Sequence, residues 1–428
     1  MKKNSLVYYV KHVLYKHKLW IIFFLLLIAH IFLRFYQLED RHPFGWDQVR
    51  DAWVSLDIIE NNKYPLLGMV AKGNAGIYLG PAYYYFIAPF YYFTNLDPRA
   101  SGIIAGFTSV ITFLGLFFLV KKMFSLKVAF FAIFINTVTL TSIGFDRVQW
   151  SVALFPLVSL AILYTLFRIV SGNPKYIMSL AILLGFSFHL HFTAVFFPII
   201  ILLSLPFFSK TKKTLKYILI SIPLFLIWLL PNIIAELQAK NVHTGNLFNY
   251  VGTYYHGFHL TRFLQLAPDA FIQFESFLFP VIKILKYALL PIFFLIYIHR
   301  NEYKAKIFCY LVFLWFLVPW VAFSTYKGEI SDYYFAINRY VVIAILAYLL
   351  NFIFEQKYII VKLILVVLLC VYAYFNIANF FSSNGNGGLK QRRENVDKAL
   401  REGKIINFIE GDPESYIYHI YTRKKQKD

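Results

Sequence analysis

Two aspartates that could perform acid–base chemistry stand four residues apart in the stretch PFGWDQVRDAW, residues 43–53. Asp47 and Asp51 have Arg50 between them, and a tryptophan stands at each end of the segment WDQVRDAW. In a helix, a spacing of four places both carboxylates on one face, one turn apart. Such a pair is suited to a general base, a metal ligand or a hydroxyl anchor. The segment is equally typical of an interfacial amphipathic helix, with tryptophans at headgroup level and charges in water.

Two further groups of polar side chains fall at junctions between apolar runs. Asp146 and Arg147 stand in SIGFDRVQW, a turn so short that it must lie at the membrane surface, close to any pocket there. His189 and His191 stand in FHLHFTA. In a helix these two histidines would point away from each other, whereas in an extended junction they would share a face. Interfacial hydrogen bonding is therefore favoured over a shared metal ion.

A third group lies late in the chain, in KGEISDYYF and the residues that follow it. Asp332 and Tyr333 precede Arg339 and Tyr340, which begin the next apolar run. A guanidinium at the end of a helix suits a phosphate, because it offers paired donors and keeps its charge. The alternative interpretation is that Arg339 extends to the lipid headgroups.

The composition is typical of a polytopic membrane protein. Of the 428 residues, 59% are hydrophobic and only 15% are charged, whereas soluble proteins average about 25% charged residues. Cys309 and Cys370 both lie inside apolar runs, which argues against a disulfide framework or a thiolate metal site. The sequence contains no GxxxxGK[ST] phosphate loop and no GxGxxG between a strand and a helix. A bound nucleotide is therefore not expected.

The pattern of apolar runs predicts an all-α integral membrane protein with about eleven transmembrane helices. The first run follows a lysine-rich N-terminus and has no small-residue cleavage site after it, so we expect a retained helix. The runs lie near residues 19–33, 101–120, 126–143, 150–168, 176–190, 192–208, 217–231, 276–298, 307–325, 335–353 and 359–381.

The distribution of charge predicts a cytoplasmic N-terminus in the cytoplasmic (plasma) membrane. With that orientation, the inner connections hold 19 Lys and Arg residues, whereas the outer turns at 144–149 and 326–334 hold one each. This asymmetry is a strong positive-inside signal. Of the 22 acidic residues, only Glu302 and Glu355 fall inside. The net charge of +20 is thus a topology determinant, nucleic-acid binding is not supported, and the chemical surface faces the extracytoplasmic side.

The chain divides into a transmembrane domain, residues 1–381, and a small extracytoplasmic tail, residues 382–428. The first outer loop (37–100) contains an aromatic stretch with prolines that is better suited to an interfacial or re-entrant helix than to a full span. A second large outer loop covers 232–275. In the tail, NGNGG is typical of a linker, and the charged helix after it is followed by two strand-like segments, IINFI and YIYHIY, so we expect an α/β tail.

The order of these motifs resembles the membrane glycosyltransferases of superfamily C, and in particular the protein O-mannosyltransferase and aminoarabinose-transferase branch. In that branch the first outer loop carries an acidic pair followed by arginine, which Asp47, Gln48 and Arg50 match here except that Gln48 replaces the second carboxylate. The stretch GPAYYYFIAPF, with Tyr83 and Tyr84, is similar to the proline–tyrosine stretch of the family. FHLHFTAVFFP and DYYFAINRY resemble its helix-junction signature and its late outer motif.

The resemblance implies transfer of a sugar from a polyprenyl-phosphate carrier to a glycan, lipid or protein acceptor, with inversion. We expect Asp47 to be the catalytic base, with Asp51 as the candidate replacement for the missing carboxylate. The donor phosphate requires positive charge where negative charge develops in the transition state. The candidates for each role are Arg50, Arg147 and Arg339 for the donor phosphate, and Asp146, Tyr83, Tyr84, His191, Asp332, Tyr333 and Tyr340 for substrate binding.

The resemblance leaves the cofactor open, because some relatives use a divalent metal ion such as Mg, Mn or Zn and others do not. It also leaves the sugar and the oligomeric state open. An envelope oligosaccharide ligase or polymerase is the nearest alternative, with its main catalytic loop late in the chain. A lipid or solute transporter is less favoured, because the two halves of the chain are unlike and the spans hold few charges.

Overall fold

The computed structural model describes residues 3–71, 75–299, 302–383 and 388–427, which form 21 α-helices and five short 3-10 segments. The helices of the first half are α1 (Lys3–Phe35), α2 (Leu38–Arg41), α3 (Trp46–Glu60), α4 (Ala82–Phe93), α5 (Arg99–Met123), α6 (Leu126–Val138), α7 (Leu140–Asp146), α8 (Phe155–Val170), α9 (Tyr176–Ser187) and α10 (Phe196–Ser204). Those of the second half are α11 (Lys212–Gln238), α12 (Val242–Tyr254), α13 (Leu260–Gln265), α14 (Ala267–Ala270), α15 (Ile272–Glu275), α16 (Lys286–Ile298), α17 (Tyr303–Ser324), α18 (Arg339–Phe354), α19 (Ile359–Ser382), α20 (Leu389–Arg401) and α21 (Pro413–Lys427). The 3-10 segments are Ser151–Leu154, Phe192–Val195, Leu205–Phe207, Pro280–Leu285 and Asp332–Asn338.

The prediction of an all-α membrane protein is confirmed: in the described part of the chain all regular structure is helical, and each of the eleven apolar runs forms helix. Eight helical segments among the described residues are apolar and long enough to cross a bilayer, and a ninth is formed if α6 and α7 are counted together. The remaining two runs, Tyr176–Ser187 and Phe192–Phe207, are shorter apolar helices. At about 1.5 Å per residue they fall short of the roughly 30 Å hydrocarbon core.

The run predicted at 126–143 is not one straight helix but two helices bent by 75°. The break lies at Thr139, whose backbone is extended. Side chains of α19 stabilise it, because Asn376 Oδ1 accepts a hydrogen bond from the Leu140 amide at 2.9 Å and the Tyr372 hydroxyl lies 2.8 Å from Thr139 Oγ1. Since helix N-termini leave amides unpaired, these contacts satisfy the start of α7.

The aspartate pair lies on α3, a 15-residue helix outside the spans. Its start is capped by the Gln48 side chain, whose Oε1 accepts from the Gly45 amide at 3.0 Å, which is one half of a capping box. Val49, Ala52 and Leu56 recur at helical spacing and are buried. They pack in a cluster with residues of α4 and α21, so this helix is held from two sides.

The predicted α/β character of the tail is wrong. The segment YIYHIY, residues 416–421, lies inside α21 and not in a strand, and IINFI has no regular structure. The alternating pattern is overridden because Tyr416, Ile417 and Ile420 share one helical face and pack into the α3–α4 cluster. Asp412 Oδ2 also accepts from the Ser415 amide at 2.7 Å and caps the helix start. Most of the predicted NGNGG linker, residues 384–387, lies outside the described residues.

Candidate active site

The carboxylates of α3 form one ionic group around Arg50. Arg50 Nη1 lies 2.8 Å from Asp47 Oδ1, while Nη2 and Nε lie 2.8 and 3.1 Å from Asp51 Oδ1. The predicted shared face is therefore formed. The two carboxylates differ in access, because the Asp47 side chain is 51% exposed and the Asp51 side chain is fully buried. A substrate from solvent can reach Asp47 directly.

Asp51 is held between a charge and an amide. Gln149 Nε2 donates to Asp51 Oδ2 at 2.8 Å, and Gln149 Oε1 accepts from the Tyr91 hydroxyl at 3.0 Å. Burial raises the pKa of Asp51 to about 6, against the opposing effects of Arg50 and Gln149, which favour the charged form. Asp51 is therefore a buried carboxylate that titrates nearer to neutral pH than an ordinary aspartate.

The turn after α7 anchors the start of α3. Gln48 Nε2 donates to the Gln149 carbonyl at 2.7 Å. His42 Nδ1 donates to the Arg147 carbonyl at 2.9 Å and its Nε2 accepts from the Ser101 hydroxyl at 2.7 Å. Burial lowers the pKa of His42 to about 4, so it is neutral at pH 7 and can act as donor and acceptor together. Gln48, in place of the expected carboxylate, is thus a hydrogen-bonded link between two elements.

Aromatic and sulfur side chains surround the ionic group. Tyr84 lies beside Arg50 and Tyr83 beside Gln149, both on α4 and both buried. Met69 Sδ lies 3.9 Å from Arg50 Nη2 and 3.4 Å from Ser151 Oγ. The predicted tyrosines of the first loop therefore contact the predicted ionic group.

Tyr333, in the late motif DYYFAINRY, lies near the ionic group of α3. Asp47 is one of the charges that act on the Tyr333 hydroxyl. The Tyr333 ring lies 5.4 Å from that of Trp150 and 5.7 Å from that of His191. His191 Nδ1 also lies 2.7 Å from Thr193 Oγ1. Tyr333, far from α3 in sequence, thus lies near Asp47, and His191 packs against Tyr333.

His189 does not join His191. His189 Nε2 donates to the Trp228 carbonyl at 2.8 Å, and its Nδ1 accepts from the Ala82 amide at 3.1 Å. It therefore ties the start of α4 to α11.

A second charged cluster lies at the ends of the spans and is buried. Arg34 Nη2 and Nε lie 2.7 and 3.0 Å from Asp146 Oδ2, and the two side chains are 0% and 4% exposed. Arg34 also donates to the carbonyls of Thr137 and Asn136, each at 2.6 Å. Asp146, predicted as a substrate ligand, is here the partner of an arginine of α1.

The other two predicted phosphate ligands are also buried with intramolecular partners. Arg339 donates to Gln273 Oε1 and Ser142 Oγ, each at 3.2 Å, and its guanidinium lies 4.5 Å from the centre of the Phe145 ring. Arg147 Nη1 donates to the carbonyls of Leu33 and Arg34, at 3.1 and 2.8 Å. These two carbonyls belong to the last turn of α1, so Arg147 caps that helix.

Tyr340 and Asp332 are the remaining predicted substrate-binding residues, and they lie in different surroundings. Tyr340 is buried beside Asp146 and Arg339. Asp332 is exposed, and its electrostatic neighbour is Asp269. Asp332 is thus not part of the group around Asp47.

The side chains do not converge as a metal site would require. Within residues 3–71, 75–299, 302–383 and 388–427, no three His, Cys, Asp or Glu side chains come together to hold a metal ion. Both α3 carboxylates instead engage Arg50. The described arrangement does not fit a metal-binding site of three or more such ligands, and the use of a divalent metal ion stays open, as it was from the sequence.

The sequence pattern did not single out Gln149 and His42, which neighbour the α3 ionic group or anchor its helix, or Arg34, the partner of Asp146 in the second cluster. Gln149 stands in the quoted motif SIGFDRVQW but is uncharged, so nothing in the sequence pointed to it. Arg34 offered a signal, because an ionisable residue at the end of an apolar run requires a partner.

Comparison with protein families finds a match over residues 69–234 to the family described as dolichyl-phosphate-mannose-protein mannosyltransferase. The matched region is less than half of the chain. It contains Tyr83, Tyr84, Asp146, Arg147 and His191 but not the α3 carboxylates. A comparison with curated protein sequences gives no significant match.

Solved structures match over almost the whole chain. The structure of ArnT from Cupriavidus metallidurans bound to undecaprenyl phosphate is similar with a TM-score of 0.56 and 10% identity, over 94% of this chain and 75% of that one. The Archaeoglobus fulgidus oligosaccharyltransferase, solved with Zn and sulfate, gives a TM-score of 0.54 and 12% identity, over 93% of this chain and 56% of that one. The chain has the fold of the superfamily C membrane glycosyltransferases.

A second Archaeoglobus fulgidus structure, of the oligosaccharyltransferase AglB with an inhibitory peptide and a dolichol-phosphate, has a TM-score of 0.54 and 11% identity. This chain covers 95% of its own length but 59% of that protein. The chain thus spans about three fifths of the length of AglB, and its tail helix α21 packs on α3. The predicted resemblance to superfamily C is confirmed at the level of the fold.

Proposed function

We propose that the protein transfers a sugar from a polyprenyl-phosphate donor to an acceptor hydroxyl at the extracytoplasmic face of the membrane, with inversion. The observation that carries this proposal is the ionic group of α3, in which one carboxylate is open to solvent and a buried one fixes the bridging guanidinium. The likeness to glycosyltransferase structures, two of which were solved with a bound lipid phosphate, supports the donor class.

Asp47 is the proposed general base. An acceptor hydroxyl that attacks the anomeric carbon must lose its proton to a group within about 2.6–3.2 Å. Asp47 is the accessible carboxylate of the pair, and Arg50 holds its Oδ1 at 2.8 Å. As the acceptor oxygen bonds to the sugar, its proton passes to the Asp47 carboxylate, and the bond from the sugar to the lipid phosphate breaks.

Arg50 is the proposed contact for the departing phosphate. Negative charge develops on the phosphate oxygen in the transition state, and fixed positive charge stabilises it. Asp51 is fully buried against Arg50 and therefore acts as a positioning residue. Arg147 and Arg339 are buried with intramolecular partners, and their assignment to the donor phosphate remains a prediction.

The test compares the wild type with Asp47→Asn and Asp51→Asn in nanodiscs, supplied with radiolabelled polyprenyl-phosphate hexoses. Release of sugar or free polyprenyl phosphate by the wild type, and its loss in Asp47→Asn with donor binding retained, is the expected result. Glu402→Gln, an exposed ion-paired carboxylate of the tail, serves as the matched control and should keep full activity.

The opposite results discriminate the alternatives. Full turnover by Asp47→Asn would overturn the assignment of the base. Activity that survives this change but is lost on altering residues 232–275 would favour an envelope oligosaccharide ligase or polymerase. Loss of activity with a chelator, restored by Mg, Mn or Zn, would establish a metal requirement.

A further inference from the structure

The tail helices form a second concave surface on the α3 side that the proposed chemistry does not use. Arg393 of α20 lies 2.5 Å from Asp97, and the Tyr416 hydroxyl of α21 donates to the Leu96 carbonyl at 2.9 Å. Arg423, further along α21, forms an ion pair with Glu60 at the end of α3. These contacts hold α21 alongside the second half of α3.

A groove of about 730 Å³ lies between these two helices. We call it the tail groove, and its lining is Trp53, Leu56, Asp57, Ile59, Glu60, Asn61, His419 and Arg423. Its volume falls within the range typical of small-molecule sites.

The groove combines aromatic rings with hydrogen-bonding groups of both kinds. The rings of Trp53 and His419 lie 5.0 Å apart. Asp57 is 41% exposed and offers carboxylate acceptors, while Arg423 carries donors. Burial and the charge of Arg423 lower the pKa of His419, so at neutral pH its imidazole can both donate and accept.

One buried donor on the groove wall is unsatisfied. Within the described part of the chain, Trp53 Nε1 is buried and finds no hydrogen-bond acceptor. Because this N–H is buried, a ligand oxygen in the groove would accept from it only after a shift of the Trp53 ring.

We propose that the tail groove binds a carbohydrate segment of the acceptor, which makes the acceptor of the proposed reaction a glycan. A sugar ring presents C–H faces that pack on aromatic rings, and hydroxyls that donate to carboxylates and accept from N–H groups. An acyl chain would instead desolvate the Asp57–Lys63 and Arg423–Glu60 ion pairs without offering them hydrogen bonds, at a high cost.

The groove lies at a suitable distance from the proposed base. Ten residues of α3 separate Asp47 from Asp57, which is about 15 Å along the axis. The groove would therefore hold units of the acceptor remote from the reacting hydroxyl. Binding energy from such remote contacts can position the hydroxyl at the base.

The experiment measures binding of the full-length protein in nanodiscs to a panel of immobilised hexose oligosaccharides of two to four units. We expect the wild type to bind at least one of them, and Asp57→Ala/His419→Ala to bind it at least tenfold more weakly. His299→Ala, an exposed histidine of the loop after α16, is the matched control and should bind as the wild type does. The Trp53 side chain is left intact because it packs against Tyr416.

Two outcomes would overturn the inference: no oligosaccharide binds, or the double variant binds as tightly as the wild type. Binding of basic peptides in place of oligosaccharides would assign the groove to a protein acceptor and also overturn it. Since the inference rests on the proposed function, turnover of a polyprenyl-phosphate hexose donor is measured in parallel for the wild type, Asp47→Asn and the groove variants. Donor turnover that requires Asp47 but ignores the groove variants would remove the groove proposal alone. Glycan binding without any donor turnover would remove the proposed function alone.

Discussion

The two charged clusters of this molecule have similar side chains and different surroundings. On α3, Asp47 and Asp51 share Arg50, and one carboxylate reaches solvent. At the ends of the spans, Arg34 and Asp146 form a buried ion pair. Arg34 also donates hydrogen bonds to two main-chain carbonyls at the end of α6. The first cluster can therefore exchange partners with a substrate, whereas the second holds α1 to the bent α6–α7 pair. Accessibility, and not residue type, distinguishes the two clusters.

The largest expected effect comes from Arg34→Met, which leaves Asp146 buried without its partner. Breaking a buried ion pair costs about 3–5 kcal/mol of unfolding free energy. Chemical denaturation in a fixed detergent measures this loss. Lys63→Met is the control, because Lys63 and Asp57 form an exposed pair worth about 0–1 kcal/mol. Equal losses in the two variants would break the comparison, since the buried cluster would then carry no special stability.

The next effect depends on pH and distinguishes Asp51 from ordinary aspartates. Its pKa is about 6 in the folded protein against 3.8 ordinarily, so between these values the folded state binds the proton more tightly than the unfolded state. The wild type should therefore lose up to about 3 kcal/mol of stability as pH rises from about 4 to 6. Asp51→Asn has no such group, so its stability relative to the wild type should increase over the same window. Thermal melts across that range measure the difference, and a difference independent of pH would refute the raised pKa of Asp51.

Gln149→Leu tests the side-chain amide that hydrogen-bonds both Asp51 and the Tyr91 hydroxyl. The change removes the donor to Asp51 and the acceptor for the Tyr91 hydroxyl, which should cost about 1–3 kcal/mol. It should also raise the pKa of Asp51 further, because the lost hydrogen bond favours the charged form. The pH midpoint of the stability profile would then move upwards relative to the wild type. An unchanged midpoint would mean that the hydrogen bond from Gln149 does not affect the ionisation of Asp51.

The smallest expected effect on stability is that of Asp47→Asn. Its exposed ion pair with Arg50 should contribute no more than about 1 kcal/mol, although turnover should be abolished. Melting temperature and turnover are measured on the same preparation, so that the loss of stability and the loss of activity can be compared directly. A large loss of stability in Asp47→Asn would show that the open cluster is architectural as well.

Much of the architecture could be predicted from local patterns. The helical spacing of Asp47 and Asp51, the apolar runs and the non-spanning character of α4 depend on residues near in sequence, and all appear in the structure. The tail shows the limit of such patterns. Tyr416 to Tyr421 alternate as a strand would, but packing against α3 and α4 selects the helix, because tertiary contacts outweigh β-propensity.

By itself, the sequence determined the fold class, the number of apolar segments and the presence of an acidic pair with arginine on one helix. Those features follow from composition and spacing. Only the tertiary structure decided which charged residues meet: Asp146 lies beside Arg34, 112 positions earlier, and Tyr333 lies near Asp47. The physical reason is that burial and long-range pairing depend on how distant helices pack. An aspartate can be a solvent-exposed carboxylate or part of a buried ion pair, depending on whether other helices pack over it.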